Sequence, residues 1–228
     1  MNRDTNKDKQ SNMPPITPEM LEMFQRIVLS KLNAFIALNK RVTPGGIVFV
    51  GDSITEGYPV YEMLPSLVTD SSVVYNRGIG GIPSQYILDH MDELLLNLAP
   101  SKLFLQVGTN DLFMGTPVDT IAENIVKICA ITREHLPKTR IFVISLYPVD
   151  EAFPPKYSTV GSRTNANLTL INAALVEKLK QYPKITYINA YPALLDSEGN
   201  LADDNTHDGL HLAMPGYEIL TGLIKEYL

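Results

Sequence analysis

Short apolar runs separated by longer amphipathic stretches set the pattern of this chain. Ile47 to Val50, Val73 to Tyr75, Leu103 to Val107, Ile141 to Ile144 and Ile185 to Ile188 are hydrophobic apart from Gln106 and Thr186. A strand with one solvated face would alternate, so these runs predict strands covered on both faces, as in a parallel sheet between helical layers. The segments between them are long enough for crossover helices. Around Ile121 to Ile131, and again at Ile219, Leu220, Leu223 and Ile224, apolar residues predict core-facing helix stripes. The expected fold class is α/β, a three-layer α/β/α sandwich around a five-stranded parallel sheet.

The amino-terminal part stands apart from this alternation. It opens on MNRDTNKDKQSN, polar and with charges of both signs, and residues 1–16 are expected to be a poorly ordered tail. Thr17-Pro18-Glu19 reads as a helix start: Thr as N-cap, proline in the first turn, and an acid near the positive end of the dipole. Leu21, Phe24, Val28, Leu32 and Phe35 follow at helical spacing, which predicts a helix over 17–40 packed on the outside of a domain spanning 41–228. Its stripe permits either a cap on that domain or a homodimer contact. Thr43-Pro44-Gly45-Gly46 ends the helical pattern. The longest irregular stretch, Pro148 to Thr164, is expected to form a pocket wall or lid.

Composition narrows the range of partners. A length of 228 residues suits one domain with a substantial core. A net charge of -6 supplies no basic face, so nucleic acid and anionic membrane surfaces are not expected partners. No apolar stretch is long enough to span a bilayer, and no apolar signal segment follows the polar start, so a cytoplasmic location without membrane insertion is the expectation. Cys129, within the apolar segment Ile125 to Ile131, is expected to be a buried structural thiol.

Ligands in such sheets bind beyond the carboxyl ends of the strands, so the residues just past each strand carry the candidate chemistry. The first strand runs into Gly51-Asp52-Ser53-Ile54-Thr55-Glu56-Gly57, the second into Asn76-Arg77-Gly78-Ile79-Gly80-Gly81, and the third into Gly108-Thr109-Asn110-Asp111. Asp208-Gly209-Leu210-His211 precedes a final helix that begins around Met214-Pro215-Gly216. Acyl transfer needs a nucleophile, a base for its proton, a group that orients the base, and donors for the oxyanion. Ser53 is the candidate nucleophile. Asp208 and His211, three residues apart, are the candidate orienter and base. The backbone N–H of Ser53, that of a glycine in the second loop, and the Asn110 amide are candidate oxyanion donors.

Arg77, Tyr58, Leu112, Phe113, Tyr147 and Phe153 are candidates for an acyl or alcohol pocket, and for substrate binding Arg77, Phe113 and Tyr147 are singled out. Asp52 and Asp111 are expected to tie down their loops. His207 is expected to be a solvated neighbour of the base, and His90 and His135 surface residues. A metal site over Asp203 to His211 is not expected, since no ligand spacing such as HExxH occurs. A dinucleotide fingerprint is disfavoured because Pro83 stands where its third glycine belongs. There is no P-loop, and Ser53 does not sit in a GxSxG elbow.

Together, GDSIT, NRGIGG, GTND and DGLH resemble the four sequence blocks of the SGNH/GDSL hydrolase family, over about residues 46 to 228. The general look is similar to the bacterial acylhydrolases that resemble the platelet-activating-factor acetylhydrolase catalytic subunit. The resemblance implies a flavodoxin-like fold and esterase, lipase, thioesterase or carbohydrate-deacetylase activity, without metal or cofactor. It implies Ser53 as nucleophile, Gly81 as the loop glycine whose N–H serves the oxyanion, Asn110 as the amide donor, and Asp208 and His211 as orienter and base. The resulting expectation is a serine esterase that cleaves small carboxylic esters through an acyl-enzyme. An O-acetyl-sugar deacetylase or thioesterase with the same triad is the alternative among enzymes, and a non-catalytic acyl- or sugar-binding module the alternative outside them.

Overall fold

The computed structural model describes residues 17–64 and 73–228, so the expected tail at 1–16 lies outside the described residues. Five strands, β1 (Ile47–Gly51), β2 (Val74–Gly78), β3 (Lys102–Gln106), β4 (Arg140–Ile144) and β5 (Ile185–Ile188), form one sheet. Their order is β2-β1-β3-β4-β5 and every pair is parallel. The helices are α1 (Pro18–Asn39), α2 (Ser53–Glu56), α3 (Val60–Met63), α4 (Ser84–Asp89), α5 (Met91–Leu94), α6 (Thr109–Phe113), α7 (Val118–His135), α8 (Asn165–Leu179) and α9 (Met214–Ile224).

Strand side chains alternate between two hydrophobic layers, which is why the runs read as apolar almost without a break. Val48, Val50, Leu103, Leu105, Ile141 and Val143 face a core built with α1, α4, α5, α7 and α8. Ile47, Phe49, Phe104, Phe142 and Ile144 face a second core built with α2, α3 and α9. The register sets Phe49 beside Phe104 and Phe104 beside Phe142, and their rings stack at 4.9 and 4.7 Å between centroids. Cys129 is fully buried in the first core, and desolvation pushes its thiol up to about 12.

Two boundaries differ from the sequence reading. β2 continues past Tyr75 through Asn76 and Arg77 to Gly78, paired with Phe49, Val50 and Gly51 of β1. As an edge strand it tolerates polar residues. In α1 the Thr17 hydroxyl accepts the Met20 N–H at 3.2 Å, as the capping signal predicts. Only the carboxyl-terminal half of its stripe, Val28, Leu32 and Phe35, is buried; Leu21 and Phe24 remain 48% and 38% exposed. That half packs beside α5, while in the amino-terminal half Phe24 lies against Gly81 in the loop after β2. Among the described residues no helix is long and apolar enough to cross a membrane.

From β1 the chain passes to β2 on one side, and β3 lies on the other. This strand order opens a crevice at the carboxyl ends of β1 and β3, the switch point where doubly wound sheets bind ligands.

Candidate active site

Ser53 is the first residue of α2, directly beyond β1. Asp52 caps this helix: its Oδ1 accepts the Ile54 N–H at 3.0 Å. As the first helical residue, Ser53 has no intrahelical acceptor for its own N–H. The other end of the short helix is clasped by Asn76, whose Nδ2 donates to Thr55 O at 2.7 Å and to Tyr58 O at 3.2 Å. Tyr217 of α9 donates its hydroxyl to Ile54 O at 2.8 Å. The helix that carries Ser53 is thus held by its own cap, by β2 and by α9.

Asp208 and His211 are brought together by a tight local fold. Thr206 Oγ1 receives the N–H of Gly209 at 3.0 Å and donates to His211 O at 2.8 Å. Asp208 Oδ1 accepts the N–H groups of Leu210 at 3.0 Å and His211 at 2.8 Å, the behaviour of an Asp that organises a turn. Its Oδ2 faces His211 Nδ1 at 2.6 Å and takes the Thr159 hydroxyl at 2.7 Å. Across the crevice His211 Nε2 lies 2.8 Å from Ser53 Oγ. Burial alone would raise the Asp208 carboxyl, but hydrogen bonds from the His211 ring, the His211 N–H, Thr159 and Leu210 outweigh it and hold the group well below the usual carboxylate range. Asp208 is therefore ionised at neutral pH. An ionised carboxylate on Nδ1 selects the tautomer that leaves Nε2 free to accept a proton from Ser53.

Asn110, in α6 beyond β3, donates from Nδ2 to Ile82 O at 3.1 Å, which sets its amide beside the loop after β2. Its Oδ1 accepts from Arg163 Nη2 at 2.9 Å. The carboxamide orientation is therefore fixed, and the second Nδ2 proton is free for a ligand. Gly80 approaches Ser53 so closely that a Cβ on it would lie 3.7 Å from Ser53 Cβ. The next residue, Gly81, has a positive φ of 77°, a conformation that favours glycine. Asp111 ties the second and third loops together by accepting the Ser84 N–H at 2.8 Å and the Ser84 hydroxyl at 2.5 Å.

Arg163 has no counterpart in the sequence reading. Its Nε donates to Thr109 O at 2.8 Å and its Nη1 to Thr159 O and Val160 O at 3.1 and 2.9 Å, while the guanidinium covers the Phe113 ring at 4.8 Å. Desolvation lowers this group to about 10, still charged at neutral pH. Arg163 and Thr159 both lie in the Pro148 to Thr164 stretch, which braces Asn110 and Asp208 from behind. No spacing or neighbouring residue in the sequence signals that position 163 reaches position 110.

The pocket candidates divide. Arg77 is buried toward α1, with Nη2 on Asn39 Oδ1 at 3.0 Å and its guanidinium over Phe35 and Tyr75, so packing accounts for it instead of substrate. Tyr147, Tyr58 and Leu112 are also buried, the first two in the aromatic core with Tyr217. Phe113 remains 37% exposed beside Arg163, and Phe153 packs against Gly209 of the loop that carries His211. His207 is solvated, with Nε2 at 3.9 Å from Asp208 Oδ2. Ligating atoms of His207, Asp208 and His211 lie within 4.8 Å of one another, but Asp208 Oδ2 is occupied by His211 and Thr159.

A three-layer α/β/α domain holds a serine, an imidazole and a carboxylate in a connected chain at its switch point, the construction of a hydrolase. Residues 49–219 match the GDSL-like Lipase/Acylhydrolase family, and the chain belongs to that family. The human platelet-activating factor acetylhydrolase IB subunit alpha1 is 27% identical over 190 residues, covering 83% of this chain and 77% of the relative. Among solved structures, one described as a putative platelet activating factor from Streptococcus pneumonia superposes with a TM-score of 0.82 at 32% identity, over 92% of this chain and 96% of that one. A GDSL-like lipase from Bacteroides thetaiotaomicron gives a TM-score of 0.71 at 25% identity, over 86% and 96%.

Proposed function

We propose that this hydrolase is a serine esterase acting on small carboxylic esters with short acyl groups, through an acyl-enzyme on Ser53. The observation that carries the reading is the connected chain from Ser53 Oγ to His211 Nε2 at 2.8 Å and from His211 Nδ1 to Asp208 Oδ2 at 2.6 Å. His211 takes the hydroxyl proton as Oγ bonds to the ester carbonyl carbon. The resulting oxyanion is met by the N–H groups of Ser53 and Gly81 and by the free Nδ2 proton of Asn110. Collapse breaks the bond to the alkoxide, which leaves with the proton from His211. A water molecule then repeats the sequence: His211 accepts its proton, the hydroxide oxygen attacks the acyl carbon, and Ser53 leaves with the proton returned.

Support for short acyl groups comes from relatives named as acetylhydrolases. The test is hydrolysis of short aryl esters by wild type and Ser53→Ala. The variant should lose turnover while keeping its thermal transition, and undiminished hydrolysis would refute the reading. A panel of acetylated sugars, thioesters and aliphatic esters of increasing length then defines the substrate class.

A further inference from the structure

The helix α1 precedes the matched family segment 49–219, yet it touches the loop that carries Gly80 and Gly81. Lys31 Nζ lies 2.8 Å from Glu56 Oε1, and the other carboxylate oxygen, Oε2, accepts the Gly80 N–H at 2.6 Å. Glu56 is the last residue of α2, the helix that begins at Ser53. Phe24 makes the second contact. A Cβ on Gly81 would come within 2.5 Å of its Cζ and 2.6 Å of its Cε2, so the ring lies against the bare face of that glycine. On the far side, Ile82 O takes the Asn110 amide.

Three consecutive residues are thus held by a carboxylate, a ring and an amide, and α1 supplies or anchors the first two. The Gly80-Gly81 pair has wide conformational freedom by itself. An oxyanion donor contributes only if it is already in place when charge develops, and a displacement of about 1 Å can cost about 100-fold in rate. The side chains of Lys31 and Glu56 are 40% and 36% exposed, so the ion pair contributes little to global stability. Its distinctive placement is on the loop, not in the core.

We propose that α1 is a positioning element of the active site: Phe24 and the Lys31–Glu56 pair hold Gly80 and Gly81 so that the Gly81 N–H meets the oxyanion. This rests on the assignment of Gly81 as an oxyanion donor. The amino-terminal helix is then part of the catalytic apparatus without touching substrate.

The experiment uses full-length protein and a short aryl ester, with kcat, KM and thermal transition measured for Phe24→Ala, Phe24→Leu, Lys31→Met, Glu56→Ala and Glu56→Gln. Phe24→Ala and Glu56→Ala should lower kcat about ten-fold or more, with KM within about three-fold and an unchanged thermal transition. Glu56→Gln keeps an acceptor for the Gly80 N–H and should recover most of the rate. Phe24→Leu retains apolar bulk against Gly81 and serves if the alanine variant does not fold. Combining Glu56→Ala with Asn110→Ala should cost less than the product of the separate losses, because both loosen one oxyanion cradle. Wild-type turnover in the Phe24 and Glu56 variants, or losses confined to KM or following lost thermal stability, would overturn the proposal. Ser53→Ala separates the two levels. If it is inactive while the α1 contacts prove dispensable, only the positioning role fails; if it hydrolyses normally, the serine reading itself fails.

Discussion

Asn110→Ala isolates the part of the site that stabilises charge from the part that moves protons. The residue is 8% exposed and its carboxamide is fully oriented, with Oδ1 on Arg163 and one Nδ2 proton on Ile82 O. Removing it deletes the free Nδ2 donor, and loss of one preorganised oxyanion donor costs about 3 to 4 kcal/mol of transition-state stabilisation, or about 100- to 1,000-fold in kcat. KM should change little, since the donor strengthens its bond only as the carbonyl oxygen becomes charged. The truncation also leaves a guanidinium N–H and a carbonyl without their partner, at about 1 to 3 kcal/mol of folding stability for each buried group. Asn110→Asp separates the two effects: it keeps an acceptor for Arg163 but offers no amide proton and puts negative charge beside the oxyanion. Steady-state hydrolysis of a short aryl ester, well below each variant's thermal transition, is the assay. Both variants should lose kcat, with the aspartate at least as slow as the alanine. A kcat within about three-fold of wild type in either would refute the role given to Asn110.

Asp208→Asn should lower kcat by about 10,000-fold while binding survives, because an amide no longer selects the productive His211 tautomer; near-normal kcat would contradict the orienting role. The hydrogen bonds hold Asp208 ionised well below the ordinary carboxyl value of 3.8, so its stabilising contribution is present above that pH and is lost as pH falls further; denaturant titrations across that range should show a weaker acid dependence in Asp208→Asn. Asp52 behaves oppositely. Desolvation raises its carboxyl from 3.8 to about 6, and among the described residues Oδ2 has no hydrogen-bond partner. The folded state therefore binds the proton more tightly, and the stability Asp52 contributes in its protonated form is lost as pH rises through about 6, a cost of about 3 kcal/mol once the group is charged. Asp52→Asn, which retains an acceptor for the Ile54 N–H, should stabilise the protein at about pH 8 and have little effect near pH 4; equal effects at both would contradict the buried charge.

The layers and the strand positions were legible because the central strands are buried on both faces, which leaves continuous apolar runs such as Ile141 to Ile144. The polar end of β2 was not, since Asn76 and Arg77 sit on an edge strand where pairing needs no hydrophobicity. The stripe of α1 marked the right helix but not which of its residues are buried, because periodicity carries no information on how deeply each one packs. At the site, Ser53 and Asn110 stand in compact blocks beyond strand ends and Asp208 and His211 in one before the last helix, and the structure brings them to one crevice. Arg163 and Thr159 escaped because their roles depend on how a long irregular stretch folds back, and no local pattern encodes that. The same limit applies to Phe24 and Lys31: helical spacing describes the helix, not the loop it lies against.

The central claim is that Ser53 is a nucleophile activated by His211. Intact protein treated with a fluorophosphonate and mapped by peptide mass spectrometry tests it most directly. The account predicts one phosphonylated site, Ser53, formed rapidly in wild type and barely at all in His211→Ala. An adduct on another side chain, no adduct, or equally rapid labelling without His211 would contradict it.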